Sequence, residues 1–569
     1  MERVNFKELK TKGRAVLKTN YRLYVGIVLI SAFLGVEYAS NLELTKLGNG
    51  YWNKINTFVN SFGGKGAPDN SRGVFASMLT ALKRSSIFDI IGQSIGSMFK
   101  ADDTKVMIGI LVSAILALGF YFLVQSVYKV PMRRIFLEGR VYEKTDIRRL
   151  LFLNACGKYF KVAVSLIYCE IILTLWWLTI IGGIYKSFQY NMVPYILAEN
   201  PDIGGKKAIQ MSKEMMKGHV FELFKLEFSF IGWAIVGVLT WGLSDIFYVS
   251  PYRMATFTEY YVKLREEYIN QKKPDYELLN DTYLYEKASK DVLNETYSDV
   301  VSIAQLEPVE IKYKNKFAKF MGENFGISVS KNQNELEFEQ YEFKKRGIMY
   351  TEDCMRAESY PQRLCSIQYE EYFKPVSLLY IRHYSINSLI LLFFCLSFVG
   401  WAWEVALHLV EDGVFVNRGT MWGPWLPIYG FGCVFILTLL YRFRKKPLLE
   451  FVSAIILCGV LEYFAHYYLE ITNNGTRWWD YTGYVLNLHG RICAEGLLVF
   501  GVGGMAFVYF LAPMLDNVFR KVNKKVLIPI TVALCIVFAG DFIYSSEHPN
   551  GGKGITDYDE VIKREVQGK

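Results

Sequence analysis

Apolar runs of bilayer-crossing length alternate with polar connections along most of the chain. The stretches 106–127, 162–181 and 491–512 carry almost no charge over the roughly 20 residues a helix needs to cross hydrocarbon. Charge is crowded into the N-terminus, the segment from 262 to 385, and short connections. The first span is expected near 21–39, after a basic stretch, and reads as uncleaved because 34–40 lacks a small-x-small site and contains Glu37. A Gly-, Ser- and Asn-rich loop over 41–105 follows, with 74–99 patterned as an amphipathic surface helix, and then a second span at 106–128.

The apolar region 161–200 is too long for one crossing. A single helix there would run about 60 Å at about 1.5 Å per residue, so Ile181-Gly182-Gly183 is expected to fold it into a helical hairpin. The same reasoning splits 223–261 near Thr240-Trp241-Gly242-Leu243. Five further spans are expected near 388–410, 424–441, 449–471, 491–513 and 526–544. The pattern therefore predicts an all-α integral membrane protein with about eleven transmembrane helices in two bundles. Six fall in 1–261 and five in 386–545, joined by a cytoplasmic linker segment at 262–385 and followed by a tail at 546–569. In the linker, 277–297 reads as a charged helix.

Charge then gives orientation. The formal net charge of +9 could suit nucleic acid, but the Lys and Arg residues border the spans. Positive-inside reasoning explains them better, and no nucleic-acid partner is expected. Lys129, Arg133, Arg134, Arg140, Arg148 and Arg149, the amphipathic stretch with Lys206, Lys207, Lys213 and Lys217, and Arg442, Arg444, Lys445 and Lys446 mark cytoplasmic connections. The N-terminus is then cytoplasmic, and the 41–105 loop, the 411–423 and 472–490 loops and the C-terminal tail lie outside. The nine cysteines show no CxxC and no finger spacing, and six sit in apolar runs as small hydrophobes.

The second bundle carries the candidate chemistry. Glu404 and His408 are four residues apart in one span, and Glu462 and His466 four apart in another, so each pair shares a helix face. At about 1.5 Å per residue, Glu404 lies about 24 Å and Glu462 about 20 Å from the inner ends of their spans, while Glu495 starts about 6 Å in from the outer side. All three carboxylates reach similar depth. A charge in hydrocarbon costs a few kcal/mol and turns inward toward a partner; those on offer are His408, His466, Arg491, Arg418 and Arg477, with Asp480 beside them. Each hairpin leads from its Glu and His to a Gly-Thr loop, through Asn417-Arg-Gly-Thr420 and Asn474-Gly-Thr476, so the unit reads as duplicated around a polar site. Three readings stay open: structural ion pairs, a solute or proton pathway, and a divalent metal held by Glu404, His408, Glu462, His466 and Glu495. Trp422, Trp478 and Trp479 read as interfacial anchors, His219 and His489 as solvated, and the glycines of 501–504 as packing residues. No GxxxxGK[ST], HExxH or GxSxG context occurs, so neither ATP binding nor an enzymatic activity is expected of this chain, and no cofactor is expected unless a divalent metal binds.

Two resemblances cover most of the chain. Phe6-Lys-Glu-Leu-Lys-Thr-Lys-Gly-Arg-Ala-Val-Leu, Tyr190-Asn-Met-Val-Pro-Tyr-Ile-Leu-Ala-Glu-Asn-Pro201, Ala208-Ile-Gln-Met-Ser-Lys-Glu-Met-Met-Lys-Gly218 and Ser229-Phe-Ile-Gly-Trp233 resemble the domain of unknown function 975 family of bacterial membrane proteins. Gly182-Gly183 stands where that family has Pro-Gly. Phe398-Val-Gly-Trp-Ala-Trp-Glu404, Gly423-Pro-Trp-Leu-Pro-Ile-Tyr-Gly430, Leu461-Glu-Tyr463, Trp478-Trp-Asp-Tyr481 and Gly490-Arg-Ile-Cys-Ala-Glu495 resemble the type IV ABC-transporter permease family. The resemblance implies a permease subunit in a bacterial plasma membrane, working with a separate cytoplasmic ATPase. The competing reading is a non-transporting membrane protein for envelope assembly or lipid binding.

Overall fold

The structure, a computed structural model, describes residues 5–34, 36, 118–119, 121–239, 244–300, 302–329, 334–367, 380–412, 416–482, 487–551 and 555. The expected surface helix at 74–99, most of the second span and the Thr240–Leu243 split lie outside the described residues.

The chain opens on the helix Phe6–Thr19, whose N-terminus is capped by the Asn5 side chain accepting from the amides of Lys7 and Glu8. Leu9, Gly13, Val16 and Leu17 are its buried residues, the helical spacing of an amphipathic segment. Gly13 lets it lie directly on the backbone of Thr256, in the long helix Ser250–Asn270. Helices Tyr21–Leu34, Ser126–Val141, Tyr159–Trp177 and Gly205–Met215 complete one core with it.

The expected hairpin at 161–200 forms, but its break falls one turn earlier than the glycines. Tyr159–Trp177 ends at Leu178 and Ile180–Gln189 begins after Thr179. Gly182 and Gly183 occupy the first turn of the returning helix, where they admit the rings of Trp176 and Trp177. The glycines serve close packing, and the hydroxyl of Thr179, bonded to the Trp176 carbonyl at 2.9 Å, marks the turn. His219, read as solvated, is buried, with Glu222 at 2.7 Å and Glu267 at 3.6 Å.

Five helices coincide with the later apolar runs: Ile386–Asp412, Pro427–Leu439, Pro447–Thr472, Ala494–Ala506 continuing to Lys521, and Lys524–Glu547. Gly501 and Gly504 sit where added side chains would strike Phe451, Ile455 and Ile436, as close helix packing requires. Among the described residues, four helices are long and apolar enough to cross a bilayer: Tyr159–Trp177, Pro447–Thr472, Gly496–Lys521 and Lys524–Glu547. Their outward faces are apolar: Val164, Ile171 and Leu175 on the first, and Ile536, Val537 and Ile543 on the last, are exposed. The protein is an all-α integral membrane protein; its described strands are two residues each, Ile327–Ser328 pairing in parallel with Tyr384–Ser385.

The connecting segment is the largest departure from expectation. No single helix spans 277–297; short turns at Tyr276–Leu278 and Thr282–Leu284 precede a seven-residue helix, Lys290–Thr296, capped by Ser289. The interruption has a cause: Asp281 is drawn into the core, 3.0 Å from Arg134 and hydrogen bonded by Tyr360. The longest helix among the described residues of the segment that follows Asn270 is instead Glu335–Met355. Its first half joins the later helices, with Glu339 bound to Arg382 and Arg520. Its second half joins the earlier ones: Asp353 meets Lys144 at 2.8 Å and Tyr350 meets Arg149.

Candidate functional site

Glu404 occupies the helix Ile386–Asp412, one turn beyond Gly400. A side chain at 400 would collide with the ring of Tyr429. Glycine therefore lets Tyr429, on the helix started by Pro427, lie across this helix and donate its hydroxyl to Glu404 Oε1 at 3.0 Å. Arg418 Nε, from the following loop, donates to Glu404 Oε2 at 3.2 Å. Glu462 is its counterpart on Pro447–Thr472. It is buried, and Oε1 accepts from the Tyr481 hydroxyl at 3.0 Å. Burial and the nearby Glu462 charge hold the Tyr481 phenol well above its ordinary pKa, so it remains a donor. Glu404 lies close enough to Glu462 for their charges to interact. Each hairpin thus presents a carboxylate met by a tyrosine hydroxyl, supplied by the returning helix in the first and by the connecting loop in the second.

A second cluster lies two turns further along the Glu462 helix. Glu470 Oε1 takes Arg477 at 2.7 Å and Glu470 Oε2 takes Arg491 at 2.7 Å. Arg491 also donates to the Tyr463 hydroxyl at 3.0 Å, and Asp480 sits 3.5 Å from Arg477. His466 is buried, with Nε2 2.9 Å from the Trp479 carbonyl oxygen and Nδ1 3.7 Å from Glu470. Gly490 holds φ +70°, and its carbonyl accepts from the Tyr481 amide at 2.7 Å, closing the loop that aims Tyr481 at Glu462.

The last helix and the tail cover these loops. Asp541 accepts from the Gly423 amide at 2.9 Å and from Trp425 Nε1 at 2.7 Å. Asn550 donates its side-chain amide to the carbonyls of Asn417 and Gly419 at 2.8 and 3.1 Å, while its own carbonyl accepts from Trp478 Nε1 at 3.0 Å. One residue of the tail therefore touches both duplicated hairpins.

Of the residues singled out in the sequence, Glu404 and Arg418 are joined, and Glu462 is brought beside them. Arg477, Asp480 and Arg491 gather on Glu470 rather than on Glu404 or Glu462. The side chains of His408 and Glu495 lie outside the described residues. Among the described residues no three His, Cys, Asp or Glu side chains converge as a metal site. Trp422 is exposed, with Nε1 donating to the His548 carbonyl at 2.9 Å; Trp478 is buried; and Trp479 Nε1 donates to the Arg491 carbonyl at 3.2 Å. Sequence reasoning missed Tyr429, Tyr481, Glu470 and Asp541 as site residues. The four-residue spacing from Glu462 through His466 to Glu470 was the available signal for one of them.

Helices long and apolar enough to cross a bilayer define the class: a helical integral membrane protein. Comparison with known families divides the chain in two. Residues 1–268 match the family described as "Protein of unknown function (DUF975)", and residues 391–546 match "Putative ABC-transporter type IV". The chain is a fusion of the two, as its motifs indicate. No curated protein and no solved structure matches it.

Proposed function

We propose that the chain is the membrane permease subunit of a transporter, with the Glu404–Glu462 site opening outward to a solute or a proton. One observation carries this reading. In the region similar to ABC-transporter type IV proteins, two carboxylates on different helices lie close enough for their charges to interact, each hydrogen bonded by tyrosine rather than neutralised alike. Only Glu404 has an arginine in contact with it among the described side chains. A site intended purely to pin helices together would pair both acids with cations.

In this reading about eleven crossings form a six-span unit over 1–261 and a five-span unit over 386–545, with 262–385 cytoplasmic and 546–569 external. The membrane is a bacterial plasma membrane and the N-terminus is cytoplasmic. The chain performs no catalysis; a separate ATPase docks on 262–385 or on the basic stretch 200–222. A divalent ion is a candidate cargo of the site.

The competing reading, a non-transporting protein for envelope assembly or lipid binding, draws on the Glu470–Arg477–Arg491 network, whose charges are all paired. Glu462→Gln separates the two. Proteoliposomes or cells in which this variant folds and inserts but loses flux support the permease. A folded variant with undiminished flux, or a wild type without any flux beside its ATPase, removes it.

A further inference from the structure

In the earlier part of the chain, the helices Ile180–Gln189 and Val220–Phe228 pack side by side and leave a groove of about 530 Å³. Ile184, Tyr185, Phe188, Phe221 and Phe224 wall it, and four of these five are exposed. Rings and branched aliphatics of this kind in a membrane protein suit a hydrocarbon chain.

The rim is cationic. Lys225 Nζ stands 4.5 Å from the Phe221 ring, and Lys186 Nζ stands 5.7 Å from the Tyr185 ring, so two lysines cover rings that line the groove. Lys186 and Lys213 also share the Tyr190 ring, at 6.0 and 5.6 Å, and their like charges interact. The carboxylates nearby are engaged elsewhere: Glu222 with His219, Glu227 with Arg253, while Glu214 lies toward Tyr268. Among the described residues, Lys186 hydrogen bonds to Gln189 at 2.7 Å and meets no carboxylate. Two neighbouring cations without a counter-charge, one of them over a ring that lines an apolar groove, call for an amphiphile with an anionic head.

We propose that this groove binds an anionic phospholipid, with one acyl chain along Phe188, Phe221 and Phe224 and the phosphate between Lys186 and Lys213. This does not depend on the transport reading. The test is native mass spectrometry of the full chain in mild detergent, titrated with phosphatidylglycerol or with phosphatidylcholine of the same chains. Wild type should retain phosphatidylglycerol several-fold better, and Lys186→Gln/Lys213→Gln should bring it to the phosphatidylcholine level with circular dichroism unchanged. Equal retention of the two lipids by wild type, or a double variant that keeps the preference, overturns the proposal. Should the double variant not fold, salt decides on the wild type: the preference should fall as ionic strength rises, and a preference that salt leaves untouched is equally fatal.

Discussion

Tyr481→Phe is the sharpest probe of the site, because it removes one oxygen and leaves the ring in place. Glu462 is buried, its Oε1 accepts from Tyr481 at 3.0 Å, and its Oε2 has no hydrogen-bond partner. Losing that donor strands a buried carboxyl group, which costs about 1–3 kcal/mol. Glu462→Leu removes the buried polar group itself and costs less. With both changed, neither partner is stranded, and the pair should approach neutrality. Unfolding in mixed micelles by titrated denaturing detergent would yield the four free energies of the cycle. The expected double-variant cost is smaller than the sum of the singles by at least about 1 kcal/mol. Additivity within about 0.5 kcal/mol would refute the reasoning, because it would mean the carboxyl group is satisfied by water and the hydrogen bond to Tyr481 is incidental.

Three other outcomes follow from the same geometry. Arg382→Met should cost about 1–3 kcal/mol, read by thermal unfolding, because the fully buried Asp516 loses one of its two arginine partners, Arg382 at 3.0 Å, and keeps Arg520 at 2.8 Å. Asp202 faces burial that opposes its charge, but hydrogen bonds from Lys161 and Lys158 outweigh it and hold its pKa below the usual value. Its stabilisation is therefore complete above the unfolded value of about 4 and fades as pH falls through the lower folded value. Asp202→Asn should be less stable than wild type near neutrality by no more than about 1 kcal/mol, since the pair is half exposed, and a pH series of melting temperatures should show the gap closing in acid. Gly400→Ala should displace Tyr429 from Glu404, lowering flux more than melting temperature; unchanged flux would argue against this tyrosine as part of the site.

The legible and illegible parts of this chain divide along physical lines. The five later helices were readable because about 20 apolar residues in a row permit few alternatives. Glu404 and Glu462 were readable because a carboxylate inside such a run is costly enough to stand out. Their partners were not. A tyrosine in an apolar segment looks like any other aromatic, so Tyr429 and Tyr481 gave no sign of their hydroxyls' role. Arg477 and Arg491 were offered to Glu404, Glu462 and Glu495, the three acids whose depth was estimated, whereas both bind Glu470. Glu470, eight residues or about 12 Å further out, is the acid within their reach. In the connecting segment, Glu335–Met355 carries charge on several faces because it meets two different neighbours, and this erases the 3.6-residue stripe by which helices are recognised.

That helix has a further consequence, which concerns phase. It is pinned near its start, where Glu339 meets Arg382 and Arg520, and near its end, where Asp353 meets Lys144. Each added residue turns a helix by about 100° and lengthens it by about 1.5 Å. One alanine inserted beside Gly347, an open position, would swing one set of anchors a quarter turn away from its partners. Seven residues would restore the angle to within about 20° while moving the anchors about 10 Å apart. Insertions of one and seven residues therefore separate twist from distance. If the connecting segment governs the Glu404–Glu462 site through this rod, the two should fail differently: the first by uncoupling the anchors in angle, the second only as far as the ends can absorb the added length.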